Sequence, residues 1–206
     1  MAEQEGVIKY RLDYHPAGAP AESPDFAALR AWRDVLHRLG LVGQQPDRYD
    51  GYGFGNVSLR RPAGFLISGT QTGLPVRLAP QGYAEVTRCN VAANHIIANG
   101  PVKPSSEALT HGAVYAVDER IGAVLHAHSP EIWHQGPRYP ATAADVPYGT
   151  PAMAQAVAQL YRDSDLPEIG LFTMRGHTDG VVAFGTTAEQ AGQRLVAALV
   201  RSLVSV

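Results

Sequence analysis

The chain has 206 residues, of which 45% are hydrophobic and 17% are charged, so it fits a single domain with a sizeable core. The formal net charge of −2 at pH 7 gives no basic field for a nucleic acid or an anionic membrane. Cys89 is the only cysteine, which excludes a disulfide within the chain, and the lack of a signal-like or membrane-spanning apolar run predicts a cytoplasmic protein.

The first predicted element is a helix that follows a polar segment. Residues 1–24 show no clear periodicity and are predicted to lead into one domain over residues 25–206. Ser23 is a typical N-cap, and Pro24 is favoured at the first helical position. Apolar residues follow at helical spacing before Gly40, namely Phe26, Leu29, Trp32, Leu36 and Leu39.

Strand signals come next, after a glycine-dense stretch that begins at residue 49. Val57 and Leu59 alternate with polar residues, and residues 64–69 form another short apolar run that ends in glycine. Both patterns are typical of strands in an antiparallel sheet. A turn-rich segment then separates them from a strand predicted at about residues 91–98.

Helix and strand signals alternate in the second half of the chain. The predicted elements are a helix that starts at residues 104–107, a strand at 121–129, a helix that starts at Thr150-Pro151, a hairpin of strands at 170–174 and 181–185, and a C-terminal helix from Thr186 or Thr187. Together they predict an α/β domain in which helices pack on a mostly antiparallel sheet.

Three histidines are candidates for a metal site. His126 and His128 lie two apart at the end of a predicted strand, so both side chains point to the same face of the sheet. His177 lies in the tight polar turn of the predicted hairpin. Three imidazoles with one open position are typical of a catalytic zinc site. His134 and Asp179 are the alternative ligands if one of the three does not bind.

Glu107 is the candidate acid/base, although an acid at a helix start can also simply interact with the helix dipole. Ser105 and Ser106 add donors at the same helix start, which favours anion binding. His111 lies four residues later and either orients Glu107 or is a partly buried residue of the helix flank. The glycine-dense stretch precedes a strand, so it is not a dinucleotide fingerprint, and Asn56 within it is a candidate to bond a substrate oxygen.

Six segments, in order along the chain, resemble the class II aldolase/adducin family. They are GNVSLR (55–60), FLISG (65–69), KPSSE (103–107), VLHAHS (124–129), VPYGT (146–150) and GHTDGVVAFG (176–185). The resemblance runs from about residue 27 to residue 203. It implies a three-layer α/β/α fold around a mostly antiparallel sheet, and a fourfold homotetramer with sites at subunit interfaces. The low fraction of charged residues also favours an oligomer.

The resemblance also implies the roles of particular residues. His126, His128 and His177 match the ligands of a divalent ion, usually zinc and sometimes manganese or another first-row metal, and Glu107 matches the acid/base. The residues that match a substrate-phosphate cradle are Asn56, Thr72, Gly73, Ser105 and Ser106. The turn at residues 68–73 is longer than in sugar-phosphate aldolases, which makes Thr70 an alternative to Thr72. Tyr139, Tyr148 or a residue of another subunit is the candidate second acid.

The function implied is that of a metal-dependent lyase or isomerase for a small hydroxycarbonyl substrate, such as a sugar or sugar phosphate. The reaction expected first is aldol cleavage through a metal-stabilised enediolate, and dehydration, epimerisation or decarboxylation would use the same site. A metal-dependent hydrolase would need the same ligands. A non-enzymatic, adducin-like interaction module is the alternative from another class, but adducin-like heads generally lack the three histidines.

Overall fold

A computed structural model describes residues 6–204 of the chain. The strands are β1 (Arg11–Pro16), β2 (Gly43–Gln44), β3 (Gly53–Phe54), β4 (Asn56–Arg61), β5 (Gly64–Ser68), β6 (Tyr83–Asn90), β7 (His95–Gly100), β8 (Ala123–His128), β9 (Ala141–Thr142), β10 (Leu171–Met174) and β11 (Gly180–Gly185). Nine of them form one sheet in the order β1-β7-β6-β5-β4-β8-β11-β10-β9, and β2 pairs with β3 in a short ribbon. Within this sheet only β1–β7 and β9–β10 are parallel pairs, so the prediction of a mostly antiparallel sheet is confirmed.

The helices cover both faces of the sheet. They are α1 (Pro24–Arg38), α2 (Ala108–Val117), α3 (Pro130–Trp133), α4 (Pro151–Asp163), α5 (Leu166–Ile169) and α6 (Ala188–Val204). Apolar residues of α1, α3 and α6 form one buried core with one face of the sheet, and those of α2, α4 and α5 form a second core with the other face. The fold is therefore the three-layer α/β/α arrangement that the resemblance implies. Among residues 6–204, no helix combines the length and apolar character needed to cross a bilayer.

Two predicted helix starts are confirmed by their capping bonds. Ser23 Oγ accepts a hydrogen bond from Phe26 N at 3.2 Å at the start of α1. Thr150 Oγ1 accepts one from Met153 N at 3.3 Å at the start of α4. In both helices proline occupies the first position, where its missing N–H costs nothing because that donor would have no partner within the helix.

The region between β5 and α2 differs from the prediction. Residues 91–98 do not form one strand, because the chain turns at residues 91–94 with Asn94 in the left-handed region at φ 50°. The turn joins β6 to β7 in an antiparallel hairpin. The alternation along β6 is interrupted by an irregularity in register between Val86 and Arg88, and this irregularity obscures the pattern expected for a strand.

The segment before α1 also contains structure that its composition did not indicate. Strand β1 pairs in parallel with β7 and forms one edge of the large sheet. Its side chains are only partly buried or exposed, so it has no apolar face that would reveal it in the sequence. The segment assigned as a lead-in therefore supplies a strand to the sheet.

The central strands bring the candidate residues to one edge of the sheet. His126 of β8 is paired with Asn56 at the start of β4, and His128 is paired with Gly180 at the start of β11. Because neighbouring strands run in opposite directions, the end of β8 meets the beginnings of both neighbours. The turn that carries His177 directly precedes β11, so it lies at the same edge.

Candidate metal centre

Three histidines converge at the end of β8. His126 and His128 point to the same face of the sheet, and His177 reaches them from the turn between β10 and β11. One ligand nitrogen from each ring can be chosen so that all three lie within 4.8 Å of one another. Each residue is only 1–2% exposed. The three histidines that the sequence analysis gave as candidates therefore lie together in one buried site.

The surroundings of His126 and His128 favour neutral rings. Burial is the main cause that lowers the pKa of His126 and His128 well below the usual histidine value, and the neighbouring His177 lowers both further. A neutral imidazole presents a nitrogen lone pair, which is the form that binds a metal. His126 Nε2 is buried and has no hydrogen-bond partner among the described residues. These nitrogens fit the donor set of a divalent first-row ion.

Asn56 lies behind His126. Its side-chain nitrogen is 3.3 Å from His126 Nδ1, and its Oδ1 is buried without a hydrogen-bond partner among the described residues. If His126 binds a metal through Nε2, Nδ1 carries the proton and requires an acceptor. Rotation of the Asn56 amide by half a turn would present its oxygen to that proton. Asn56 therefore suits a role in fixing the His126 tautomer as well as the predicted substrate contact.

Glu107 is next to the third histidine. Its Oε1 lies 3.4 Å from His177 Nε2, and both side chains are 2–3% exposed. Glu107 is the N-cap residue of α2, so the helix begins at the last residue of the predicted start at 104–107. Its backbone N–H donates to Ser105 Oγ at 3.2 Å. The carboxylate is thus held at the positive end of α2 and beside the imidazole cluster.

His111 does not orient the Glu107 side chain. Its Nδ1 lies 2.6 Å from Ser58 Oγ, which in turn lies 2.8 Å from Tyr115 Oη. All three residues are buried between α2 and the sheet, so the alternative of a partly buried flank residue is also wrong. Burial lowers the pKa of His111 to about 3, so the ring is neutral. The bond that His111 makes to Glu107 is the ordinary helical one between backbone N–H and carbonyl, at 3.1 Å.

A cleft opens next to His126 and Glu107. It is lined by residues from β4, from the loop after β5, and from the segment before α2. All five residues that match a substrate-phosphate cradle lie along it, together with Thr70; the five are Asn56, Thr72, Gly73, Ser105 and Ser106. The structure therefore brings the predicted substrate residues and the acid/base together.

The alternative residues are mostly outside this centre. His134 is exposed, and its Nδ1 lies 2.7 Å from Pro130 O. Asp179 Oδ2 accepts a hydrogen bond from Tyr49 Oη at 2.8 Å and is not part of the imidazole cluster. Tyr139 packs in the core on the face of the sheet that carries α1 and α6. Tyr148 alone of the two named tyrosines is close, with its ring centroid 4.6 Å from that of His177.

Tyr49 is a residue of this region that sequence reasoning missed. Its ring packs edge-on against His128 with a centroid separation of 4.5 Å, and its hydroxyl bond to Asp179 ties the glycine-dense stretch to the His177 turn. Tyr49 and the next residue, Asp50, have φ values of 49° and 56°. Two successive non-glycine residues in the left-handed region cannot be found from periodicity, so the sequence offered no signal for this contact.

Comparison with known proteins agrees with the geometry. The sequence model described as "Class II Aldolase and Adducin N-terminal domain" matches residues 47–200. The chain belongs to this family. A curated relative, methylthioribulose-1-phosphate dehydratase from Gluconacetobacter diazotrophicus, is 32% identical over 100 residues. The match covers 48% of this chain and 46% of the dehydratase, so it spans about half of each protein.

Solved structures of the class II aldolase and adducin family share the fold. L-fuculose-1-phosphate aldolase from Thermus thermophilus superposes with a TM-score of 0.64 at 22% identity, over 87% of this chain and 91% of the aldolase. A sugar-phosphate aldolase from Thermotoga maritima gives a TM-score of 0.61 at 14% identity, over 87% and 93% of the two chains. At these identities the likeness establishes the architecture, and the reaction is argued from the site.

Proposed function

We propose that this chain is a divalent-metal-dependent lyase or isomerase that acts on a small hydroxycarbonyl compound, with aldol cleavage of a sugar or sugar phosphate as its principal reaction. One observation carries the proposal. Three buried imidazoles each offer a ligand nitrogen within 4.8 Å of the other two, and the Glu107 carboxylate lies 3.4 Å from one of these rings. The names of the aldolases that share the fold support the same class of substrate.

His126, His128 and His177 would hold the ion. Zinc is the first candidate, since three imidazoles leave one position of a tetrahedral site for substrate, and manganese or another first-row ion is the alternative. When bound, the ion supplies Lewis-acid polarisation of a substrate carbonyl. Burial of the three rings keeps water from the site and strengthens the electrostatic interactions inside it.

Glu107 would transfer the proton. In aldol cleavage a base takes the proton of the β-hydroxyl, the carbon–carbon bond breaks, and its electron pair moves toward the carbonyl. A proton is later returned to the carbon that was released. Glu107 is buried beside the centre and lines the cleft, so it is placed to perform one of these transfers. Tyr148 is the other residue considered for this chemistry, and its ring packs beside that of His177.

The cleft would bind the remainder of the substrate. The hydroxyl groups of Ser105, Ser106 and Thr70, the Asn56 amide and the backbone at Gly73 can hydrogen-bond an oxyanion or sugar hydroxyls. Thr72 Oγ1 donates to Gly69 O at 2.7 Å, so Thr72 would accept a hydrogen bond from a sugar hydroxyl. Donors of this kind at the start of a helix favour an anionic group. We assign these residues to substrate binding on that basis.

Replacement of Glu107 tests the proposal. Glu107→Gln keeps the shape of the side chain but removes the base, so turnover should fall by about 10²–10⁴-fold while metal content is unchanged. The assay is a screen of phosphorylated and free ketoses and hydroxy acids with product analysis, and metal is counted by elemental analysis. Glu119→Gln is the matched control, because Glu119 is exposed, and it should retain full activity. Full activity in Glu107→Gln would refute the assigned role.

Dehydration is the second candidate reaction. The observation that favours it is the 100-residue match, at 32% identity, to methylthioribulose-1-phosphate dehydratase. The same base would remove a proton next to the carbonyl, and the neighbouring hydroxyl would leave as water. Product masses separate the two reactions, because dehydration yields one product that lacks a water and aldol cleavage yields two fragments. Epimerisation and decarboxylation would be recognised in the same screen.

Elemental analysis also separates the enzyme from a non-enzymatic interaction module. An enzyme of the proposed kind should contain about one equivalent of metal per chain, since the three ligands come from one chain. Far less than one equivalent, with no gain in activity when zinc or manganese is added, would favour an adducin-like module.

A further inference from the structure

Arg33 is a buried cation that donates hydrogen bonds to four carbonyls of residues 69–76, the part of the loop after β5 that we call loop 69–76. It lies on α1 and is only 3% exposed. Its Nη1 donates to the carbonyls of Pro75 and Val76 at 2.5 and 3.1 Å, and its Nη2 donates to those of Thr72 and Gly73 at 3.2 and 3.3 Å. Four carbonyls of one loop therefore face a single guanidinium.

These bonds set the direction of the loop's peptide units. In a trans peptide the carbonyl of one residue and the N–H of the next point in opposite directions. Because the carbonyls of Thr72 and Gly73 face Arg33, the N–H groups of Gly73 and Leu74 point away from it. The guanidinium therefore orients this part of the loop so that its backbone carbonyls face Arg33 and its N–H groups face the opposite side.

Other contacts hold the rest of the loop in place. Thr72 Oγ1 donates to Gly69 O at 2.7 Å, and Gln71 Oε1 accepts from Gly53 N at 3.0 Å. A side chain at Gly73 would meet Gly43 O at 2.1 Å from its Cβ, so the loop backbone lies directly against β2. These contacts hold residues 69–73 in place, and Arg33 holds residues 72–76.

The charged partner of Arg33 is Asp34, which forms an ion pair with it at 3.5 Å. The carbonyl oxygens satisfy its other hydrogen bonds but carry no net charge, and Asp34 Oδ1 also accepts from Leu78 N. Arg33 lines the same cleft as Glu107 and His126. A buried positive charge beside a cleft favours an anion there, because little water screens it.

We propose that Arg33 is a positioning residue that shapes loop 69–76 and places a positive charge beside it, so that the cleft binds a phosphate-like oxyanion of the substrate. The inference rests on the proposed function, since the oxyanion would be the phosphate of a sugar phosphate. The proposed role differs from a purely structural one, in which Arg33 would stabilise the loop but would not affect the affinity for an anion.

Titration of inorganic phosphate into the metal-loaded protein, followed by calorimetry, tests the proposal without any turnover. Arg33→Lys keeps the charge but loses the planar fork, and its dissociation constant for phosphate should rise about tenfold. Arg33→Gln loses both the charge and the planar fork, and its dissociation constant for phosphate should rise about 100-fold. Arg38→Gln removes an exposed arginine from the same helix and is the control. Its dissociation constant for phosphate should differ from that of the unsubstituted protein by less than about twofold.

The outcomes separate this proposal from the one on which it rests. The graded loss from Arg33 to lysine to glutamine, with metal content unchanged, supports a role in anion binding. Absence of phosphate binding to the unsubstituted protein, or equal affinity in a folded Arg33→Lys variant, overturns it. If no substrate gives a reaction that depends on Glu107, that result counts against the proposed function and leaves the phosphate result standing. If Arg33→Gln does not fold, the comparison with Arg33→Lys still decides.

Discussion

Of the three proposed ligands, His177 is the one whose position depends most on the local backbone. It comes from the turn between β10 and β11, whereas His126 and His128 are fixed by the strand β8. A Cβ at Gly180 would lie 2.7 Å from His177 Cδ2 and 3.1 Å from its backbone oxygen, so glycine is required where β11 begins. The absence of a side chain at that position lets the imidazole lie close over the start of the strand.

Removal of this imidazole should abolish tight metal binding. We expect His177→Ala to weaken metal affinity by at least about tenfold, because two imidazoles cannot complete a three-ligand site. Elemental analysis after dialysis against a chelator measures the effect. His134→Ala is the matched control, since His134 is exposed and outside the cluster, and it should retain the metal. A full equivalent of metal in His177→Ala would contradict the assignment of this ligand.

At the scale of elements, β1 connects the sheet edge to the site. Tyr10, directly before β1, is 5% exposed, and its hydroxyl donates to Ser105 O at 2.7 Å. Ser105 lies in the segment that carries Glu107 into α2. The N-terminal segment therefore holds one wall of the cleft in place.

The Tyr10 hydroxyl should contribute measurably to stability. Tyr10→Phe keeps the buried ring and removes one hydrogen bond, so the free energy of unfolding should fall by about 0.5–1.5 kcal/mol. Urea denaturation followed by circular dichroism gives this value. Stability equal to that of the unsubstituted chain would show that the segment before α1 is not packed as part of the domain.

Local chemistry explains which elements could be predicted from the sequence. The helices after Ser23 and Thr150 carry a capping side chain, a proline and an apolar period, and these signals act within one turn. The His-x-His pair could be assigned to one face because strand side chains alternate. Each of these features depends only on neighbours in the chain.

The features that were missed depend on contacts between distant segments. Strand β1 is recognisable only through its partner β7, because its own side chains are half-buried or exposed. Arg33 occupies a buried position of α1, where the helical period predicts an apolar residue. It can be buried there because the carbonyls of a remote loop accept the hydrogen bonds of its guanidinium. His111 is held by Ser58, which lies 53 positions away. No pattern within a short window contains such information.

At the scale of the whole molecule, the most exposed large apolar side chains of residues 6–204 lie in two places. Leu74 and Val76, on the loop held by Arg33, are 70% and 53% exposed. Val200, Leu203 and Val204, at the end of α6, are 55–80% exposed. Together with a charged fraction of only 17%, these groups favour association of the chain with copies of itself.

The fourfold homotetramer implied by the family resemblance therefore stays a prediction with a direct test. Light scattering coupled to size exclusion should give the mass of four chains of 22.0 kDa each. Since the exposed pair Leu74 and Val76 lies on the loop beside the cleft, the double variant Leu74→Ser/Val76→Ser should shift the protein to smaller species if sites lie at subunit interfaces. Val35→Ser is the control, because Val35 is 39% exposed on α1 and its loss should leave the mass unchanged. A single-chain mass for the unsubstituted protein would contradict the prediction, and it would mean that one chain supplies the whole site.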